Sequence, residues 1–129
     1  MIEYTVKVYG NGDRKWFLNG EYHREDGPAI EIVNGSKYWY LNNKLHREDG
    51  PAIERSSGTK EWFLNGKFHR EDGPACEYAS GNKFWYLNGK ELTEEKFLQR
   101  TKKHTIIIDG QDILISEESF QNLKNFLLL

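Results

Sequence analysis

The sequence has few of the features that indicate a disulfide-linked, secreted or membrane-spanning protein. Cys76 is the only cysteine among 129 residues, so neither an internal disulfide nor a cysteine-rich metal motif can form. No apolar run approaches the length that spans a bilayer. The residues after Met1 lack the charged-then-apolar pattern of a secretory signal. These absences predict a cytoplasmic chain without a membrane span.

The sequence also lacks an excess of positive charge. It contains 18 Lys and Arg against 20 Asp and Glu, which gives a formal net charge of −2. General nucleic-acid binding is therefore not expected, because it requires cations that neutralise phosphates. Hydrophobic residues make up only 37% of the chain, whereas aromatic residues make up 14%. This balance favours a thin sheet in which aromatic rings supply the buried surface, rather than a fold with a thick aliphatic core.

A repeat of 23 residues occupies most of the chain. Its consensus reads Gly-x-Lys/Arg-x-Trp-Phe/Tyr-Leu-Asn-Gly-x-x-His-Arg-Glu-Asp-Gly-Pro-Ala-x-Glu, and the clearest copy runs from Gly35 to Glu54. The period is marked by Trp16, Trp39, Trp62 and Trp85. The tract His-Arg-Glu-Asp-Gly-Pro-Ala occurs at 23–29, 46–52 and 69–75. Other residues replace the tract at 92–96, so the array is expected to end there.

Each repeat is expected to form two short strands. The Trp-Phe/Tyr-Leu segment is rich in β-forming residues, and the Asn-Gly that follows is a strong hairpin signal. Asp-Gly-Pro indicates a second turn, after which Ala-Ile-Glu-Ile at 29–32 predicts another strand. Four such repeats predict an elongated antiparallel sheet of about eight strands over residues 1–91.

Alternation along the strands separates two faces. Trp39 and Leu41 point one way, and Tyr38 and Tyr40 point the other way. A ladder of rings on the second face either packs across the strands or forms an exposed binding stripe. The ring residues predicted for binding are Phe17, Tyr38, Tyr40, Phe63, Phe84 and Tyr86.

The recurring His-Arg-Glu-Asp places a base, a cation and two carboxylates in four residues. A single copy would resemble an acid–base site, but three copies at a fixed period favour a structural role in each repeat. We therefore expect no catalytic residue and no metal site. The arginines are expected to pair with carboxylates of a neighbouring repeat, or to bind a partner. The histidines are expected to hydrogen-bond turn carbonyls. The arginines Arg24, Arg47 and Arg70 join the rings among the residues predicted for binding. The predicted structural network of the repeats comprises His23, His46, His69, Glu25, Glu48, Glu71, Asp26, Asp49 and Asp72.

The repeat resembles a variant of the MORN repeat. The resemblance is carried by Asn-Gly-Lys-x-His at 65–69, the Gly-Pro-Ala after it, and a strand and glycine turn every 23 residues. More narrowly, the His-Arg-Glu-Asp-Gly-Pro-Ala tract resembles uncharacterised repeat proteins of bacteriophages and giant viruses. The resemblance covers residues 3–100. It implies an elongated antiparallel sheet that scaffolds partners, and a viral accessory protein that acts on host machinery.

Residues 92–129 predict a small cap made of a helix, a hairpin and a helix. Thr93 and Ser116 are suited to cap the two helices, and Asp109-Gly110 predicts the hairpin turn. Phe120, Leu123 and Leu127 fall on one stripe of the second helix. The apolar end at 127–129 is expected either to cover the last strand of the array or to form a homodimer contact.

These features predict a non-enzymatic interaction module without a cofactor. The resemblance implies a phage or viral protein that binds a host protein, such as a defence factor, and inhibits it. One alternative is a binder or sponge for a small, nucleotide-like ligand held by aromatic and Arg side chains. A second alternative is a structural component of a particle. Cys76 takes the position of Ile30 and Ile53, which predicts a buried thiol.

Overall fold

Antiparallel β-structure dominates the protein, and two short helices lie near its C-terminal end. The computed structural model describes residues 2–128. The chain divides into a repeat array, residues 1–91, and a C-terminal unit, residues 92–129, which are described separately. The prediction of a mainly β, antiparallel sheet with a small C-terminal part that contains helices is confirmed.

The strands of the repeat array are short. They are β1 (Tyr4–Val8), β2 (Arg14–Leu18), β3 (Glu21–Tyr22), β4 (Ile30–Glu31), β5 (Lys37–Tyr38), β6 (Tyr40–Leu41), β7 (Lys44–Leu45), β8 (Ile53–Glu54), β9 (Lys60–Glu61), β10 (Phe63–Leu64), β11 (Lys67–Phe68), β12 (Cys76–Glu77), β13 (Lys83–Leu87) and β14 (Lys90–Leu92). The repeats are numbered from 1 to 4 in chain order, and each contains one of the four tryptophans.

Most of these strands join one antiparallel sheet. Its order is β1-β2-β4-β5-β8-β9-β12-β13-β14, with β3 beside β2. Repeat 2 contributes β5 and β8, and repeat 3 contributes β9 and β12, so each middle repeat adds two neighbouring strands. Two separate strand pairs, β6 with β7 and β10 with β11, are the hairpins that follow in the same repeats.

In repeats 2 and 3 the tryptophan interrupts the predicted strand. β5 ends at Tyr38 and β6 begins at Tyr40, so Trp39 lies between two ladders. The N–H of Trp39 donates to the carbonyl of Ala52 at 2.8 Å, and its carbonyl accepts from the N–H of His46 at 3.0 Å. Trp39 therefore lies where pairing passes from β8 to β7. Trp16 makes the same two bonds but stays within β2, because β1 pairs with all five residues of that strand. Each middle repeat consequently has four short strand segments, whereas the sequence predicts two strands.

The Asn-Gly pairs form the hairpin turns that the sequence predicts. Asn19 and Gly20 have φ angles of 49° and 82°, the left-handed conformation that a two-residue type I′ turn requires. In repeat 2, Asn43 replaces the glycine and keeps a φ of 65°. Asparagine can do so because its short polar side chain tolerates this region.

Small side chains lie at the centre of the array. Ala29, Ala52 and Ala75 follow the three Gly-Pro pairs, and none of them has exposed surface. Ala52 forms a buried cluster with Ile53 and Phe63. Because the carbonyl of this alanine accepts the tryptophan N–H, the side chain is held close to neighbouring backbone. A methyl group is the apolar side chain that fits such a close approach.

Two groups of three rings pack across the hairpins and are together called the ring column. The first group is Phe17, Tyr22 and Tyr40, and the second is Phe63, Phe68 and Tyr86. Neighbouring ring centroids within each group lie 4.1 to 5.2 Å apart. Leu45 pairs with Tyr40 and packs against the cluster that contains Phe63. Burial, with smaller contributions from nearby tyrosines, raises the pKa of the Tyr40 phenol. The rings therefore pack across strands, and a binding role for them stays a prediction.

The C-terminal unit consists of a helix, a hairpin and a second helix, as the sequence predicts. Its elements are α1 (Glu94–Arg100), β15 (Lys103–Ile108), β16 (Gln111–Ser116) and α2 (Glu117–Leu127). Thr93 caps α1 and Ser116 caps α2, since each hydroxyl accepts a backbone N–H of the first turn. Asp109 and Gly110 form the hairpin turn with positive φ angles.

A histidine connects the hairpin to α2. The ring of His104 stacks on Phe120 with 3.7 Å between centroids and hydrogen-bonds to Glu117. Phe120 and Leu123 are half-buried, whereas Leu127 is exposed. Leu129 lies outside the described residues, and both the predicted covering of the array and the predicted dimer contact stay predictions. Neither helix of residues 2–128 is long and apolar enough to cross a bilayer.

Replacement of Ala52 by leucine is expected to destabilise the repeat array. The larger side chain has no free volume at a fully buried position, so we expect the free energy of unfolding to fall by about 1–3 kcal/mol. Urea denaturation measures the change. Val33→Leu is the matched control, because Val33 is exposed and its substitution is expected to cost less than about 0.5 kcal/mol. Equal stability of the two variants would contradict close packing around Ala52.

Candidate functional site

The three His-Arg-Glu-Asp-Gly-Pro-Ala tracts form equivalent turns, here called the HRED turns. They span residues 23–29, 46–52 and 69–75. Each is closed by the backbone of its own tryptophan, which bonds to the histidine at one end and to the alanine at the other. Because both ends are fixed at one residue, the side chains between them are presented in the same arrangement three times.

Arg47 lies at the centre of the second HRED turn. Its guanidinium carbon is 3.9 Å from the ring centroid of Trp39. Its Nε donates to Asp49 at 3.0 Å, and its Nη1 donates to the carbonyl of Pro51 at 3.1 Å and to Glu54 at 3.2 Å. The corresponding contacts are made by Arg24 and Arg70. Each arginine therefore ties its own turn together.

The prediction that these arginines bind carboxylates of a neighbouring repeat is wrong. Asp49 and Glu54 belong to the same repeat as Arg47. The turn folds back on its own tryptophan, and the strand that follows returns the glutamate to the guanidinium. In the first turn, the hydrogen bond from Arg24 and the charge of this arginine lower the pKa of Asp26.

A glycine in each HRED turn makes room for the guanidinium. A Cβ atom on Gly50 would lie 2.9 Å from the guanidinium carbon of Arg47, closer than real Cβ contacts allow. Gly27 and Gly73 lie against Arg24 and Arg70 in the same way. The guanidinium is thus enclosed between an indole ring on one side and glycine backbone on the other.

The histidines connect successive repeats. Nδ1 of His46 accepts the backbone N–H of Asn65 at 2.9 Å. The equivalent bonds join His23 to Asn42 and His69 to Asn88. A ring nitrogen that accepts carries no proton, so the proton lies on Nε2, which faces Glu48 at 3.5 Å.

The prediction that the histidines bind turn carbonyls is therefore wrong. The first residue of a two-residue hairpin turn has an N–H that the hairpin itself does not use. Asn65 is the first residue of such a turn, and His46 of the preceding repeat accepts its N–H. The histidines, rather than the arginines, make the side-chain links between one HRED turn and the next repeat.

Two grooves open between successive HRED turns. The groove between the first and second turns has a volume of 680 Å³, and the groove between the second and third has a volume of 670 Å³. Trp39 and Leu41 provide the apolar lining of the first groove. Trp62 and Leu64, one repeat further along, provide that of the second. The two grooves are therefore copies of one site.

The walls of both grooves carry exposed carboxylates. Their side chains are 74% to 88% exposed, and they are Glu25, Asp26, Glu48, Asp49, Glu71 and Asp72. The arginines beside them are only 21% to 22% exposed. Each turn carries one arginine against two acidic residues, so each wall has a net negative charge when its histidine is neutral.

The grooves lie on the face of the strands opposite to the ring column. Of the described residues predicted for binding, Arg24, Arg47 and Arg70 line the grooves, whereas the rings of Phe17, Tyr38, Tyr40, Phe63, Phe84 and Tyr86 do not. Trp39, Leu41, Trp62 and Leu64 line the grooves and are absent from the predicted site. Strand alternation places these four residues on the face opposite to the rings, as observed. It does not show that the HRED turns fold over that face, which is why the four residues are absent from the predicted site.

Cys76 is a packed side chain of strand β12. It is 2% exposed and occupies the position of Ile30 and Ile53, as the sequence predicts. Burial, with smaller contributions from the charges of Glu61 and Glu91, raises the pKa of the Cys76 thiol to about 11. A thiol that stays protonated near neutral pH is a poor nucleophile.

Each groove combines an indole ring, a leucine, two arginines and several carboxylates. Within residues 2–128, no group of three or more His, Cys, Asp or Glu side chains is arranged to hold a metal ion. No protein-family model, curated protein or solved structure matches this chain. The function of the grooves is therefore inferred from their own residues.

Gly50→Ala is expected to displace the guanidinium of Arg47 from Trp39. Because Arg47 then loses its contacts, we expect a cost of about 1–2 kcal/mol in the free energy of unfolding. In an Arg47→Ala background the same substitution is expected to cost nothing, which gives a coupling energy of about 1 kcal/mol or more. Urea denaturation of the single and double variants measures the coupling.

Gly10→Ala is the matched control for this cycle. A Cβ on Gly10 would meet no atom within 4 Å, and Gly10, like Gly50, does not have a positive φ angle. This control is expected to leave stability unchanged in both backgrounds. Equal costs of Gly50→Ala with and without Arg47 would show that the guanidinium does not require the glycine.

Cys76 is expected to react slowly with iodoacetamide in the folded protein. At pH 8, a pKa of about 11 leaves a thiolate fraction on the order of 0.1%, and the thiolate is the reactive form. Unfolding in urea removes the burial that raises the pKa, so the alkylation rate is expected to rise at least about tenfold. Mass spectrometry follows the reaction, and similar rates in both states would contradict a buried, protonated thiol.

Proposed function

We propose that this chain is a non-enzymatic interaction module that binds a segment of a partner protein along its two grooves. The observation that carries the proposal is the repetition of one groove, with the same lining residues, one repeat further along. An active site is a single set of groups that converge on one reacting centre. Equal grooves in series suit a partner that is itself extended, as in other repeat proteins.

The spacing of the grooves favours an extended polypeptide. Each middle repeat adds two neighbouring strands to the main sheet, and strands lie about 4.8 Å apart, so equivalent grooves are separated by about 10 Å. A segment in the extended polyproline II conformation advances about 3.1 Å per residue with three residues per turn, so its side chains point the same way about every 9.3 Å. Every third residue of such a segment would therefore meet an equivalent position on the array.

The charge of the groove walls favours cationic side chains at those positions. A lysine or arginine would place its charged end among Glu25, Asp26, Glu48 and Asp49, and its aliphatic stem against Trp39 and Leu41. One exposed ion pair contributes about 0–1 kcal/mol. Useful affinity therefore depends on both grooves acting together on one segment.

The arginines favour this partner over a nucleotide-like ligand. The Nε and Nη1 donors of Arg47 are used within the second HRED turn, and its flat faces contact Trp39 and lie against Gly50. A clamp on a phosphate would require these donors to be free. The resemblance to viral repeat proteins supports a host protein as the source of the basic segment, and inhibition of that protein as the consequence.

The test is fluorescence anisotropy with a labelled peptide that carries lysine at every third position between serine and glycine. We expect the unsubstituted protein to bind this peptide more tightly than a peptide of equal composition with its lysines in one block. Glu48→Gln with Asp49→Asn removes two charges from the turn shared by both grooves but keeps hydrogen-bond acceptors. This double variant is expected to weaken binding at least about tenfold.

Asp112→Asn with Glu118→Gln is the matched control, since it removes the same charges from exposed positions in the C-terminal unit. It is expected to leave the affinity unchanged. An equal loss of affinity in both double variants would show that the peptide is bound by the overall charge of the protein and not by the grooves. Failure of the array to bind either peptide would overturn the proposal of a basic segment.

A further inference from the structure

Strand β1 forms one edge of the main sheet. Among residues 2–128 it pairs with β2 alone. The N–H of Asn19 donates to the carbonyl of Glu3 at 2.8 Å, so the backbone groups of Glu3 face the sheet. Because these groups alternate along an antiparallel strand, the N–H and C=O groups of Tyr4, Val6 and Val8 point away from it.

The same three residues leave apolar surface exposed. Tyr4, Val6 and Val8 are 66%, 49% and 70% exposed, and their side chains share the face of Trp16, which lies opposite Val6. Protein edges are usually protected by charges, prolines or bulges, because unpaired backbone groups and apolar side chains template strand addition. Lys7 is the only charged residue within β1, and its side chain points to the other face.

We propose that this edge pairs with the β1 edge of a second copy of the chain, antiparallel about a two-fold axis at Thr5. In this register Tyr4 lies opposite Val6 of the second copy, and the outward backbone groups of the two residues form a hydrogen-bonded pair. Glu3 lies opposite Lys7 in a non-hydrogen-bonded pair, where side chains are closest. Symmetry repeats each pair, so two opposite-charge contacts form across the dimer.

The charges select this register among those that the backbone allows. An axis at Val6 would also align outward groups, but it would place Lys7 opposite Thr5 and Glu3 opposite Tyr9. An axis at Tyr4 would place Glu3 opposite Thr5. The Thr5 axis alone brings Glu3 and Lys7 together, and cross-strand pairs of opposite charge stabilise such a sheet.

Disulfide cross-linking of the full chain tests the register. Residues opposite each other at a non-hydrogen-bonded position have Cα atoms about 4.5 Å apart, within the range that a disulfide spans. Thr5→Cys is therefore expected to form a covalent dimer under mild oxidation. Val8→Cys is the matched control, because the two copies of residue 8 would lie about 20 Å apart. The native Cys76 is buried and does not compete.

We expect Thr5→Cys to cross-link at least about tenfold faster than Val8→Cys, since the axis raises the effective concentration of its thiols. Val6→Cys distinguishes the two central registers. Faster cross-linking at position 6 than at position 5, or equal rates at positions 5 and 8, would overturn the proposal.

Analytical ultracentrifugation tests the dimer without added thiols. Lys7→Glu is expected to raise the dissociation constant at least about tenfold, because two attractive pairs become repulsive. Glu3→Lys combined with Lys7→Glu is expected to restore the dimer. A monomer at the highest soluble concentration would overturn the proposal. A dimer that survives Lys7→Glu but is lost in Phe126→Asp would assign the contact to α2, and would also overturn it.

Discussion

The repeat array depends on the return of each HRED turn to its own tryptophan. The backbone of Trp39 closes both ends of the second turn, and its ring carries the guanidinium of Arg47. The N–H and C=O of Trp39 are bonded to the two ends of the turn, at the point where pairing passes from β8 to the hairpin partner β7. The buried Ala52 follows from the same closure, since a larger side chain would hold the turn away from the strand. Because each groove lies between two successive closed turns, the positions of the turns also set the spacing between grooves.

Local signals made much of the fold predictable from the sequence. The Asn19-Gly20 turn and the caps at Thr93 and Ser116 depend on residues only a few positions apart. The partners of Arg47 and His46 depend on how far the turn folds over its strand, which the order of residues in the tract does not encode. The prediction consequently assigns the link between repeats to the arginine. It omits Trp39 from the site for the same reason, because alternation identifies a face but not what covers it.

One face of the strands packs the repeats together, and the opposite face carries the residues that line the grooves. The rings of Tyr40 and Phe63 belong to the column that holds the hairpins together, whereas Trp39 and Leu41 line a groove. The carboxylates on the groove walls are largely solvated, and exposed ion pairs contribute little to folding. The aspartate of each turn nevertheless accepts from the arginine and helps to hold the turn. The glutamates beside the aspartates can therefore vary with less effect on the fold.

Side-chain bonds between repeats join nearest neighbours throughout residues 2–91. His46 reaches the hairpin of repeat 3, and the hydroxyl of Ser36 accepts the N–H of Ser56 in the turn that follows repeat 2. An array of this kind can gain or lose 23 residues without any change to its interior. Each such step adds or removes one groove, and grooves that act on one segment multiply their effect through effective concentration. Duplication of a single repeat would thus change avidity while every individual contact stayed the same.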